Sequence, residues 1–186
     1  MFDFIKIREV PKTSWSSEET FNLKPRLQTL MALVVGLILF GLGEALLVTS
    51  QIGVSPWTAL GQGLANVSEL GLGLTTFLIS LFVLFLWIPL KQKPGLGTIL
   101  NIIIIAVMID LSIAFVETPQ NYTGQIIMAI IAVLLVGLGS GIYLTANLGP
   151  GPRDGLMTGI QRKSNLPISV VRAFLEITVV SVGWYL

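Results

Sequence analysis

Long apolar stretches interrupted by short Gly-, Pro- and Lys-containing breaks dominate the chain from Leu27 onward. Five such runs occur, at about 27–49, 73–90, 96–116, 125–146 and 166–186. Each approaches the roughly 20 residues an α-helix needs to cross a hydrocarbon core. The runs are continuous and lack the dyad alternation of membrane strands, so the pattern predicts helices. The segment 53–71, GVSPWTALGQGLANVSELG, breaks the pattern because it is Gly-rich and too polar and short to cross. It predicts a re-entrant or interfacial helix starting at about Pro56, since proline is tolerated in a first turn. Residues 1–26 are polar and carry mixed charge without a period. They read as a disordered cytosolic tail ahead of an uncleaved span, although Trp15 and Phe21 offer a hold on the membrane surface.

Composition strengthens the membrane reading. The chain is 53% hydrophobic and only 11% charged, against roughly 25% charged in soluble domains. Nine of its 21 charges lie in residues 1–26, leaving twelve for the other 160 residues. So few charges cannot cover a soluble surface, and the expected environment is a lipid bilayer. Placement of Lys and Arg then sets orientation. With a cytosolic N-terminus, Lys24, Arg26, Lys91, Lys93, Arg153, Arg162 and Lys163 all fall inside. The regions 50–72 and 117–124 fall outside and contain no Lys or Arg. This predicts a multi-pass protein of a bacterial-type inner (cell) membrane.

The chain also aligns with itself at an offset of 96. GLGEALLVTSQIGVSPWTALGQG (41–63) matches GLGSGIYLTANLGPGPRDGLMTG (137–159) without gaps, and ten positions of the window 41–70 are identical. Three spans separate the two copies, and an odd number inverts the second. The expected architecture is therefore an all-α polytopic membrane protein with an inverted repeat of three spans each. Residues 1–26 form the tail, 27–116 the first repeat and 125–186 the second. Five spans are present, and the pattern predicts a sixth beyond Leu186. Inverted repeats with broken helices suit alternating access around a central site. Duplication into a stable scaffold without transport is the competing outcome.

The stretch Gly149-Pro150-Gly151-Pro152-Arg153-Asp154-Gly155-Leu156-Met157, followed by Val171-Arg172, Glu176 and Gly183-Trp184, resembles the YczE-like membrane proteins of the YczE/YyaS/YitT grouping. The first-copy segment Gly53–Leu60 is similar to that family too, and the resemblance covers about residues 30–186. It implies a bacterial multispanning inner-membrane protein, C-terminally truncated here, with a transport or export role. It supplies no substrate.

Intramembrane ionisable residues are the first candidates for chemistry, because an unpaired charge in hydrocarbon is costly. Glu44 lies fourteen residues beyond Leu30, roughly 21 Å along a helix. It reads either as a polar helix contact or as a proton-coupling carboxylate. Asp110 suits a hydrogen bond to a neighbouring helix. Arg172 and Glu176, four apart, read as an ion pair, with an anion-binding Arg172 as the rarer alternative. A helix starting near Pro152 would aim its positive end at an anionic group. In the same loop Asp154 suits capping its own helix, and Arg153 suits anchoring at lipid phosphates. Gly149 permits close backbone approach, and Pro56 and Trp57 of the matching first-copy loop are candidates for the same site. Trp57, Trp87 and Trp184 read as interface anchors before pocket linings. Gly36, Gly41, Gly43, Gly137, Gly139 and Gly141 read as packing residues.

The chain has no Cys and no His, which removes thiol chemistry, Cys-ligated metals and the commonest general base. No Gly-Lys-Ser/Thr follows the glycines, so the loop is not a nucleotide-binding P-loop. The expected protein is not an enzyme, and no cofactor, metal site or nucleic-acid partner is expected. The leading expectation is a secondary transporter or exporter of an unknown small molecule. The alternatives are a non-transporting accessory protein of a biosynthetic or transport complex, or a capture subunit of a transporter driven by a separate ATPase. A membrane-protein partner or homo-oligomer fits any of these.

Overall fold

The computed structural model describes residues 13–186, and the leader charges Asp3, Lys6, Arg8, Glu9 and Lys12 lie outside the described residues. Seven helices follow one another: α1 Leu27–Thr49, α2 Pro56–Ser68, α3 Leu72–Trp87, α4 Leu96–Phe115, α5 Tyr122–Thr145, α6 Pro152–Ser164 and α7 Ile168–Tyr185. No strand occurs among the described residues. Four of the helices, α1, α4, α5 and α7, are long and apolar enough to cross a membrane. The short helices α2 and α3 meet at 113° and count as a fifth span only if taken as one broken crossing. At about 1.5 Å per residue the 16 residues of α3 reach only about 24 Å, short of a full hydrocarbon core.

Local chemistry fixes the breaks. Both α2 and α6 are 13 residues long and begin at a proline in the first turn, Pro56 and Pro152, which lie 96 positions apart. Ahead of them, α1 and α5 end at residues that are followed by left-handed Gln51 (φ 56°) and Asn147 (φ 53°). The short helices end at left-handed Glu69 (φ 59°) and Asn165 (φ 55°). Each of these pairs is again 96 apart. A non-glycine residue with positive φ ends helical propagation, so the same four-part break is written twice.

Packing interleaves the elements. The long helices α1 and α5 lie against each other, α2 packs on α7 and α3 on α6. Small residues set the α1–α5 crossing. A Cβ on Gly36 would lie 2.7 Å from the backbone nitrogen of Tyr143, and one on Gly139 would lie 2.6 Å from the Gly36 carbonyl oxygen. Gly41 and Gly43 are equally tight against Met108 and Ala132. Gly137 and Gly141 differ from expectation: they have nothing within 4 Å, because they lie off the contact stripe of α5. Large apolar side chains such as Phe82, Phe85, Phe115 and Leu134 cover the outside. Polar Thr58, Thr75, Thr76, Ser80 and Thr98 are buried between helices, the inside-out distribution a bilayer favours.

Residues 13–26 do not behave as a free tail. Trp15 packs on the core cluster of Leu33, Leu37, Ile105, Ile109 and Tyr143. The Ser17 amide donates to the Ala146 carbonyl at 3.0 Å, and the Ser16 hydroxyl donates to the Thr145 carbonyl at 2.6 Å. The broken end of α5 leaves carbonyls without helical partners, and this polar segment satisfies them.

Candidate functional site

A cavity of about 410 Å³ lies where all seven helices contribute side chains. Glu44 and Phe40 come from α1, Thr76 and Ser80 from α3, Asn101 from α4, and Ser140 and Tyr143 from α5. The first turns of α2 and α6 bring Pro56, Trp57, Pro152, Arg153 and Asp154, and α7 brings Arg172 and Glu176. Of the nine residues the sequence nominated, eight therefore share one space. Gly149 does not line it. At φ +111° Gly149 holds a backbone turn that disfavours a side chain, and a Cβ there would lie 2.9 Å from the Gly95 Cα. Its work is to let the 147–151 loop press on the start of α4, where Gly97 N–H donates to the Leu148 carbonyl at 2.7 Å.

The three acids of the cavity each have a partner. Glu44 is buried, and its Oε2 accepts from the Thr58 hydroxyl at 2.5 Å and from the Ser55 hydroxyl at 3.1 Å. Ser55 also accepts the Thr58 amide at 3.3 Å, so one serine caps α2 and ties it to α1. Asp154 Oδ2 accepts from the Tyr143 hydroxyl at 2.6 Å rather than capping α6. Residues 58 and 154 are 96 apart, and at each break a hydroxyl–carboxylate bond joins the long helix to the short one that follows, with the acid on opposite sides. Arg172 Nε donates to Glu176 Oε1 at 2.8 Å, the pairing their spacing predicts. Those two side chains are 67% and 36% exposed at the edge of the fold.

Arg153 corrects the lipid-anchor expectation. Its Cζ lies 5.3 Å from the centre of the Trp57 ring inside the cavity, a cation–π contact between residues 96 apart. It forms no salt bridge among the described residues; the single one found there is Arg172–Glu176. Trp87 is likewise not an interface anchor. It is 2% exposed, and its indole N–H donates to the Pro152 carbonyl at 3.0 Å, which fixes the start of α6. Trp57 faces the cavity, and only Trp184, 91% exposed, remains free to meet an interface. Asp110 does bond a neighbouring helix, accepting from the Gly73 amide at 2.6 Å at the start of α3.

Sequence reasoning missed Ser55, Thr58, Thr76, Ser80, Asn101, Ser140 and Tyr143. Asn101 alone carried a visible signal, as an amide inside an apolar run. Among the described residues no group of three or more acidic, His or Cys side chains is arranged to hold a metal. The cavity offers hydroxyls, one amide, three carboxylates, two arginines and two helix starts.

An apolar exterior, bilayer-length helices and a polar interior define an α-helical integral membrane protein. Comparison with known proteins agrees. An uncharacterized protein of Haemophilus influenzae is 41% identical over 181 residues, 97% of this chain and 82% of that protein. The uncharacterized membrane protein YczE of Bacillus subtilis is 34% identical over 151 residues, 80% of this chain and 70% of that protein. The uncharacterized protein YyaS of the same organism is 30% identical over 145 residues, 76% and 72% of the respective chains. Residues 27–186 match the DUF6198 model, a family of unknown function, and the chain belongs to this YczE-containing family of membrane proteins. No solved structure matches it.

Proposed function

We propose that the protein is a multi-pass inner-membrane secondary transporter of a small molecule, with its N-terminus in the cytosol. In this reading α1–α4 and α5–α7 are inverted copies of one unit, and the cavity is the central site. One observation carries it: the starts of α2 and α6, offset by 96 residues, open into the same cavity. Broken helices from two inverted copies that meet around one site allow the site to face either side in turn. The absence of basic residues from 50–72 and 117–124 supports the orientation. Glu44, tied to the break before α2 by two hydroxyls, is suited to couple a proton to that exchange.

The cysteine-free sequence makes the test direct. Ser140→Cys and Thr76→Cys place single thiols in the cavity. In oriented membrane vesicles, a membrane-impermeant maleimide is expected to reach both from either face. Labelling confined to one face under every condition, with no solute flux in proteoliposomes, would overturn transport in favour of an accessory role. In the same liposomes Glu44→Gln is expected to abolish proton-dependent flux; undiminished flux removes the coupling role alone.

A further inference from the structure

The two short helices start differently. Ser55 caps α2 with its side chain, whereas the equivalent position before α6 is Gly151, which has no side chain to give. Pro152 has no N–H, and the amides of Arg153 and Asp154 have no acceptor among the described residues. The start of α6 is therefore a set of unused donors opening into the cavity.

A second, independent observation sits beside it. Asn101 is only 8% exposed, lines the cavity, and makes no side-chain hydrogen bond among the described residues. Its amide keeps some access to the cavity, because no fully buried side-chain nitrogen or oxygen among the described residues lacks a partner. Its Nδ2 lies 3.2 Å from where a Cβ on Gly151 would sit, so it points at the missing cap. The cavity also holds three carboxylates against its two arginines. Glu44, Asp154 and Glu176 have donors, and Arg172 has Glu176, while Arg153 has only the face of Trp57.

We infer that the cavity binds a small solute through an oxyanion group, a carboxylate or phosphate, seated at Gly151 as the absent cap of α6. The amides of Arg153 and Asp154, the Asn101 side chain and the Arg153 guanidinium hold it. The volume of about 410 Å³ lies in the lower part of the usual range of about 300–1,000 Å³, which fits a metabolite rather than a peptide. This assignment rests on reading the cavity as a solute site, and it names the solute's class.

The test uses the full chain in detergent, with thermal unfolding and calorimetry against phosphate, glycerol 3-phosphate, acetate and succinate. Chloride and glycerol are the controls. A phosphate or carboxylate probe is expected to raise the Tm saturably while the controls do not, and the preferred probe separates the two oxyanions. Gly151→Ser rebuilds the cap within the chain. It is expected to weaken binding about tenfold or more, with Asn101 and Tyr143 giving way to a Cβ that would lie 3.2 and 3.3 Å from them. Arg153→Gln is expected to weaken binding by a similar factor, with Arg153→Lys closer to wild type. Probe shifts equal in wild type, Gly151→Ser and Arg153→Gln would overturn the assignment, as would no shift from any oxyanion. Flux of an uncharged or cationic solute without oxyanion binding would overturn it while leaving transport standing. Saturable, Gly151-sensitive binding without flux would do the reverse.

Discussion

The bond between Thr58 and Glu44 joins the short helix α2 to α1 across the first break, and its strength can be worked out from its setting. Thr58 is 1% exposed and Glu44 3% exposed, and their oxygens lie 2.5 Å apart. Thr58→Val keeps the shape and removes the donor, leaving Glu44 with the longer bond from Ser55 at 3.1 Å. Losing a buried hydrogen bond to a carboxylate costs about 1.5–3 kcal/mol. Glu44→Gln keeps an acceptor but weakens the bond, costing about 1 kcal/mol. Because both changes injure one interaction, the double variant is expected to fall short of the sum. The deficit is up to about 1 kcal/mol, the whole cost of Glu44→Gln, above the average of about 0.6 for hydrogen-bonded pairs in membranes. The assay is reversible unfolding in mixed micelles. Thr75→Val serves as the control, since its hydroxyl bonds Gly61 and Leu72 carbonyls and never meets Glu44. It should add to Glu44→Gln within about 0.5 kcal/mol. A Thr58–Glu44 coupling no larger than the Thr75 control would refute the latch.

Two further outcomes follow from packing. Gly139→Ala forces a methyl into the α1 backbone and should destabilise by about 1–3 kcal/mol, while Gly137→Ala, two residues away in open space, should be neutral or gain up to about 1 kcal/mol; thermal melts of the pair check the helix face. Trp87→Phe removes the indole donor to the Pro152 carbonyl and opens a void, so it should lower stability by about 1–3 kcal/mol and alter the labelling rate at Ser140→Cys.

Much of the skeleton was legible because it rests on local chemistry. Pro56 and Pro152 mark helix starts through their fixed φ and missing N–H, and the structure begins α2 and α6 at those residues. The spacing of Arg172 and Glu176 makes them neighbours on any helix. What stayed hidden depends on tertiary partners. Trp87 ends an apolar run as an interface tryptophan would, and only the fold brings the Pro152 carbonyl, 65 residues away, to its indole. The same holds for Trp15, whose site exists only once α1, α4 and α5 have met. Periodicity cannot say which side of α5 meets α1, so Gly137 and Gly139 looked alike. Tyr143 and Asn101 each stood alone in apolar sequence, and their shared neighbour Gly151 lies in a different element.

The exchange of partners, α2 on α7 and α3 on α6, also bears on synthesis. Each short helix leans on an element from the other part of the chain, so neither part can finish alone. A ribosome that has released α4 into the bilayer leaves α2 without its wall until α7, more than 50 residues later, emerges. Biogenesis then ends in a single closing step. Cutting the chain at the 117–121 connection should yield two pieces that are each degraded when expressed singly and that survive together.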